Sequence, residues 1–285
     1  AMGRKLDLKG RRLIREASNL DSNKGIVRFI KSVLLTTFII ELIGAVLSFF
    51  VFIQDYPLQK AIGISLFHSV AAFNNSGFDI LGNLQNLIPY QNNIMLNLVT
   101  CGLIFFGGIG FLVIREMWQY RLNFRKYSMH AKVVLSVSGV LIIVGTLLLR
   151  LTENVTWLGA FFHSVSARTA GFSTYPLGTF SNAGLLVLTA LMFIGASPGS
   201  TGGGVKTTTV FVMVQALKCL GKKKSAHAFR RSISDENISK AFMITVLYVG
   251  ILCVATFLIC IFEPEYDFIQ LIFEVTSAFS TAGLS

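Results

Sequence analysis

Five long apolar runs divide the chain: Val33 to Ile53, Ile94 to Ile114, Val133 to Leu149, Leu185 to Leu217 and Ala241 to Phe262. Each approaches or exceeds the roughly 18 residues that cross a bilayer as a helix. The fourth is interrupted by Gly195-Ala196-Ser197-Pro198-Gly199-Ser200-Thr201-Gly202-Gly203-Gly204. Between the runs lie three shorter, half-apolar segments, Ala61 to Phe78, Trp157 to Phe172 and Phe268 to Leu284. Each has a helical apolar pattern over roughly ten to twelve residues, too short to span, and then turns polar and reaches a glycine. A short apolar helix between two spans reads as re-entrant, because irregular backbone at membrane depth survives only where protein or water satisfies it. The predicted fold is an all-α integral membrane protein with about five spanning helices and three re-entrant pore helices.

The short segments repeat. Phe67-His68-Ser69-Val70-Ala71-Ala72-Phe73-Asn74-Asn75-Ser76-Gly77-Phe78 resembles Phe162-His163-Ser164-Val165-Ser166-Ala167-Arg168-Thr169-Ala170-Gly171-Phe172 with one residue deleted. Phe273-Glu274-Val275-Thr276-Ser277-Ala278-Phe279-Ser280-Thr281-Ala282-Gly283-Leu284 is a third copy. The unit is span, short helix, Gly loop, span. Two copies are complete and the third lacks its return helix.

Composition agrees with a membrane protein: 53% of residues are hydrophobic and 14% charged, against about 25% charged in a soluble domain. The formal net charge of +11 invites a nucleic-acid reading, but its placement excludes it. The basic residues gather in three blocks, Arg4 to Lys31, Arg115 to Lys132 and Lys218 to Lys240, while the intervening polar stretches hold Lys60, Arg150 and Arg168. That is the positive-inside pattern, so the three blocks are read as cytoplasmic and the Gly loops as outward-facing. Lys222-Lys223-Lys224 and Arg230-Arg231 either set topology or touch anionic lipid or a cytosolic partner. Cys101, Cys219, Cys253 and Cys260 show no framework or CxxC spacing, so neither a disulfide scaffold nor a metal site is indicated.

These loops suit cation conduction. A dehydrated cation at the bilayer centre costs tens of kcal/mol by Born solvation, and backbone carbonyls replace its water without trapping it. Aiming several carbonyls at one axis needs unusual backbone angles that glycine adopts readily. A short helix ending at the loop also points its negative end at the ion. The predicted ion filter comprises Asn74, Asn75, Ser76, Gly77 and Phe78; Thr169, Ala170, Gly171 and Phe172; and Thr281, Ala282, Gly283 and Leu284.

The FHSVAAFNNSGF and FHSVSARTAGF loops, the SAFSTAGL ending and the FIGASPGSTGGGVKTTT stretch resemble the Trk/Ktr/HKT superfamily of K⁺ transporters, in particular the membrane subunit of bacterial Ktr systems. The resemblance covers essentially the whole chain. It implies four helix–pore-loop–helix repeats around one pore in a cell-membrane protein, with K⁺ as the transported ion, Na⁺ as a second ion or activator left open, and no covalently bound cofactor. By that comparison residues 1–31 are a cytoplasmic basic segment, 32–114 the second repeat, 115–132 a cytoplasmic loop, 133–217 the third repeat, 218–240 a cytoplasmic basic loop and 241–285 part of the fourth. The chain is then expected to be a fragment that does not conduct alone. A homodimer and a cytosolic nucleotide-binding regulatory ring are implied as partners.

The resemblance further makes Gly195 to Gly204 an intramembrane gate beneath the filter, with a packing kink as the plainer alternative. A phosphate-loop reading fails because Val205 stands where the Lys belongs and Lys206 is one residue late. Lys206 is read either as a counter-charge on the gate or as a side chain snorkelling to the interface. Arg168 is read as a scaffold behind the filter in preference to a barrier to cations. His68 and His163 are read as helix-start or interface residues. Glu41, inside the first span, needs a polar partner or the lumen, and Gly107-Gly108-Ile109-Gly110 permits close helix packing. The competing function is a secondary transporter for a small solute, but its broken helices would lie in inverted halves, whereas here three loops share one orientation. A membrane enzyme would need a clustered nucleophile or metal set, and the sequence shows none.

Overall fold

A computed structural model describes residues 26–82, 85–121, 123–220, 227–229 and 231–285. Ten helices carry the described fold: α1 (Ile26–Phe52), α2 (Leu58–Phe73), α3 (Ile94–Ile109), α4 (Phe111–Tyr120), α5 (Met129–Thr152), α6 (Trp157–Ser166), α7 (Asn182–Phe193), α8 (Thr207–Leu220), α9 (Asp235–Phe262) and α10 (Phe268–Phe279). A two-residue antiparallel pair, β1 (His227–Ala228) with β2 (Arg231–Ser232), joins α8 to α9. The architecture is all-helical otherwise, as the apolar periodicity predicts.

Among the described residues, three helices are long and apolar enough to cross a membrane unbroken, Phe29–Phe52, Met129–Thr152 and Asp235–Phe262. They expose many large apolar side chains, among them Leu35, Phe38, Ile143, Val246 and Phe257, as expected of surfaces solvated by lipid. The second apolar run differs from the expected single span. It divides at Gly110 into α3 and α4, whose axes diverge by 105°. Gly110 has φ 90°, and a Cβ there would stand 2.6 Å from the Pro198 carbonyl oxygen, so only glycine fits the turn. The fourth run breaks between α7 and α8, at the Gly-rich interruption.

Side chains fix where the helices start. Ser128, Thr156, Ser181 and Ser234 each accept a hydrogen bond from the backbone N–H three residues on, which caps α5, α6, α7 and α9. Asp267 and Gln270 form a reciprocal capping box on α10. Glu153, at the end of α5, accepts from the Ser181 N–H and hydroxyl and so places a carboxylate at the start of α7, where the helix dipole favours it.

The two complete repeats use one packing device. Ser69 Oγ of α2 donates to the Glu41 carbonyl of α1, and Ser164 Oγ of α6 donates to the Ile142 carbonyl of α5. Each crossing is close enough that a Cβ on Gly44 would lie 2.5 Å from Ser69 Oγ, and one on Gly145 would lie 2.4 Å from Ser164 Oγ. The same site in each repeat is closed by a leucine of the return helix, Leu103 or Leu191. Glycine, serine and leucine thus lock the short helix of each complete repeat into its own span. One apolar cluster joins Phe52, Phe73, Leu87, Phe162 and Phe172, and a second joins Leu188, Met192, Phe273 and Leu284. Both surround the Gly loops.

Candidate ion filter and gate

The three Gly loops share one backbone signature. The residue two before each glycine is left-handed, Asn75 at φ 53°, Thr169 at φ 79° and Thr281 at φ 56°. So is the glycine itself, Gly77 at 71°, Gly171 at 77° and Gly283 at 77°. A positive φ at a β-branched threonine is a conformation the surroundings must impose, and it occurs here twice in register. In each loop the N–H before the glycine donates back to the last turn of the short helix, from Ser76 to Ala71, Ala170 to Ser166 and Ala282 to Ser277. The middle loop reaches it in one residue fewer, which is the deletion seen in the sequence.

The loops meet cyclically. A Cβ on Gly77 would lie 2.8 Å from the Ala170 carbonyl oxygen, one on Gly171 2.5 Å from that of Ala282, and one on Gly283 3.7 Å from that of Ser76. The carbonyl preceding each glycine therefore approaches the next glycine in the ring. The seam between Gly283 and Ser76 is the loosest of the three.

Support comes from behind. Ser166 and Ser277 donate to the carbonyl oxygens of Phe172 and Leu284, each at 2.5 Å. The first loop has Ala71 at the matching position, and Phe78 is 69% exposed while Phe172 is buried. Asn74 turns backward and donates to Glu41 Oε1 at 2.9 Å, which supplies the polar partner that Glu41 requires. Arg168, at the matching position of the second loop, donates to Ser138 Oγ of α5 at 3.1 Å and is 6% exposed. His68 sits against Thr100 Oγ1, and His163 against the Gly159 carbonyl and Ser173 Oγ, so both are satisfied core residues of their repeats.

The Gly195–Gly204 break passes against the inner end of all three loops. A Cβ on Gly202 would fall 2.1 Å from Thr169 Oγ1 and 3.1 Å from Asn75 Nδ2, and one on Gly203 2.3 Å from Thr281 Oγ1. The three left-handed residues thus converge on two consecutive glycines. The segment is pinned at its flanks. Ser197 N–H donates to the Gly108 carbonyl, the Thr201 N–H and hydroxyl donate to that of Gly107, and Phe111 N–H donates to that of Gly199. Ser197 and Thr207 hydroxyls pair at 2.9 Å, and the Ala196 N–H donates to the Gly203 carbonyl. Lys206 Nζ donates to the Gly202 carbonyl at 2.7 Å, so its ammonium rests on the segment itself. Ser200 closes a local turn through Ser197 O.

Two sets of contacts at the loops and the break escape the sequence reading. Gly107 and Gly108, read only as packing residues, provide the carbonyls on which the break docks. Asn86, in the linker after the first loop, donates from Nδ2 to the carbonyls of Gly77 and Gly171. A polar residue between two prolonged apolar segments gives no signal until the fold folds it back. Among the described residues no group of three His, Cys, Asp or Glu side chains could hold a metal ion.

The model of the TrkH family, described as a cation transport protein, matches residues 14–134 and 141–285. The Ktr system potassium uptake protein B of Vibrio alginolyticus is 34% identical, over 99% of this chain and 65% of that protein. The potassium/sodium uptake protein NtpJ of Enterococcus hirae is 35% identical, over 99% of this chain and 65% of that protein. The chain therefore spans about two thirds of the length of these relatives. The crystal structure of the potassium transporter TrkH from Vibrio parahaemolyticus superposes with a TM-score of 0.71 at 15% identity, over 96% of this chain and 66% of that one, and shares its fold. Matched by the family model along nearly its whole length, the chain belongs to the TrkH family of cation transport proteins, multi-pass membrane transporters rather than enzymes.

Proposed function

We propose that this chain supplies three of the loops of a K⁺ filter, and that residues 195–204 form the gate below it. The observation that carries the reading is the threefold recurrence of two left-handed residues, one of them glycine, in loops that touch cyclically. Alternating left-handed with negative-φ residues turns successive carbonyls toward one side, the arrangement a dehydrated cation needs. Gly202 and Gly203 lie against the inner residue of each loop, which supports a closed gate. The names of the relatives favour K⁺ as the ion. Transport runs down the membrane potential, without covalent chemistry. The homodimer and the cytosolic nucleotide-binding ring belong to the same proposal by resemblance.

Rubidium uptake by cells expressing the native protein tests this reading. Saturable Rb⁺ flux that rises when residues 197–202 are deleted is expected. Absence of cation flux, or a folded deletion protein that conducts no faster, would sink the filter or the gate respectively. A second reading, Na⁺ conduction or Na⁺-coupled K⁺ uptake, is favoured by the potassium/sodium name of one relative. Competition of Na⁺ against Rb⁺ separates the two.

A further inference from the structure

We infer that Asn86 is a positioning residue that sets the spacing of two filter carbonyls, those of Gly77 and Gly171, and thereby tunes cation discrimination. The inference rests on the filter reading above and adds a residue outside the Gly loops. Asn86 lies in the linker between the first loop and α3, next to the short helical turn Ile88–Tyr90. Its Nδ2 donates to two carbonyls at once, Gly77 O at 3.4 Å and Gly171 O at 3.3 Å. These belong to adjacent loops, 85 residues apart in sequence on the longer arm.

The orientation of the amide is fixed by its other end. Asn86 Oδ1 accepts from the Leu87 N–H at 2.9 Å and from the Ser173 N–H at 3.2 Å. A flipped amide would set its NH₂ against two further donors, so the network admits one orientation. Asn86 holds φ 51°, a left-handed conformation that asparagine tolerates better than most side chains. The adjoining Leu87 N–H also donates to the Ser173 carbonyl at 3.1 Å, and Leu87 is fully buried in the cluster that contains Phe172. The linker is thus clamped to the second loop before its side chain reaches the glycines.

Consequences follow from geometry. One planar amide bonded to two carbonyls holds their oxygens at a set separation. A smaller cation needs the oxygens to close in, and a bridge that resists this penalises it. The amide N–H groups also draw electron density from the same two oxygens, which weakens the field they offer to the most strongly hydrated ions. The contacts are long for N–H···O bonds, so the effect is one of tuning rather than of holding the fold.

The test uses the native protein in proteoliposomes, with relative permeabilities read for Li⁺, Na⁺, K⁺ and Rb⁺. Asn86→Ala removes both bridges, and Asn86→Asp keeps the shape while replacing the donor with an acceptor that repels both carbonyls. The preference for K⁺ over Na⁺ is expected to fall about threefold to tenfold in each, the scale of one or two modest hydrogen bonds. Asn86→Asp keeps the acceptor for the Leu87 and Ser173 N–H groups, so it reads the bridges without loosening the linker. Leu87→Ala, which loosens the same linker without touching the carbonyls, is expected to lower stability and leave the ratio alone. Gly171→Ser reports on the filter itself. If Gly171→Ser collapses the ratio while both Asn86 variants retain the original one, the role of Asn86 is overturned and the filter stands. If Gly171→Ser also leaves the ratio intact, the filter reading fails and takes this inference with it. A ratio that shifts equally in Leu87→Ala assigns the effect to the linker and overturns the inference as well.

Discussion

The ammonium of Lys206 donates to the carbonyl oxygen of Gly202, four residues earlier and pressed against the inner side of Thr169. That bond turns the side chain back along the break and supports a counter-charge on the segment over snorkelling. A charged donor to a neutral carbonyl contributes about 1.5–3 kcal/mol. Lys206→Met keeps the apolar stem and removes the donor. It is expected to raise Rb⁺ uptake by about tenfold if the break is a gate held closed by this bond, with K⁺ over Na⁺ preference unchanged. Uptake equal to that of the unsubstituted protein would show that Lys206 does not hold the segment.

Gly107 offers a sharper test of packing. A Cβ there would stand 1.9 Å from the Phe73 carbonyl oxygen and 3.1 Å from Thr201 Oγ1, and the first of these is backbone that cannot turn aside. Gly107→Ala must therefore part α3 from the end of α2. An overpacking cost of about 3 kcal/mol is expected, read as an earlier thermal transition of the detergent-solubilised protein. Gly102, one and a half turns earlier on the same helix, has open space where its Cβ would point. Gly102→Ala is expected to be neutral or slightly stabilising, as alanine suits a helix better. Equal transitions for the two variants would contradict the close approach.

Much of this arrangement was legible in the residues because the signals are periodic. Apolar runs marked the helices, and the register of FHSV and GF in two loops with FEVT and GL in the third marked three similar loops, including the one-residue deletion. What stayed hidden depends on contacts between segments remote in sequence. The 105° turn at Gly110 interrupts an apolar pattern that continues through it, so hydropathy alone reads one span from Ile94 to Ile114. Glu41 had no visible partner because Asn74 lies 33 residues away, and Asn86 had no visible role because Gly171 lies 85 residues away. Ser138 gave no hint either, since a serine in a span normally bonds its own helix.

The three glycines are not equally crowded, and that asymmetry is testable. All have φ near 71–77°, so any side chain is strained there. A Cβ on Gly171 would also meet the Ala282 carbonyl at 2.5 Å, whereas one on Gly283 would meet nothing closer than 3.7 Å. Gly171→Ala is expected to lose K⁺ over Na⁺ preference by more than Gly283→Ala, with a difference of about tenfold for a further 1–2 kcal/mol of displaced backbone. Bi-ionic reversal potentials provide the measurement. The opposite order, or identical ratios, would mean that the cyclic contact does not govern the conducting state.

Arg168 brings a guanidinium to the loop preceding Gly171, where Asn74 and Ser280 stand in the other copies. It is buried, bonds Ser138 across to α5, and its Nε has no acceptor among the described residues. A scaffold and a barrier to cations predict opposite outcomes on its removal. Arg168→Gln abolishes the charge yet keeps a donor for Ser138. If the charge is a barrier, flux rises and selectivity holds. If the side chain is a strut between α5 and the loop, flux falls or selectivity drops, and Ser138→Ala reproduces part of the loss, about 1–3 kcal/mol in stability. The geometry favours the strut, since the Ser138 bond ties the guanidinium to α5. The expected double-mutant result is that Ser138→Ala adds little once Arg168→Gln is present. Full additivity would separate the two residues and leave the barrier as the reading of Arg168.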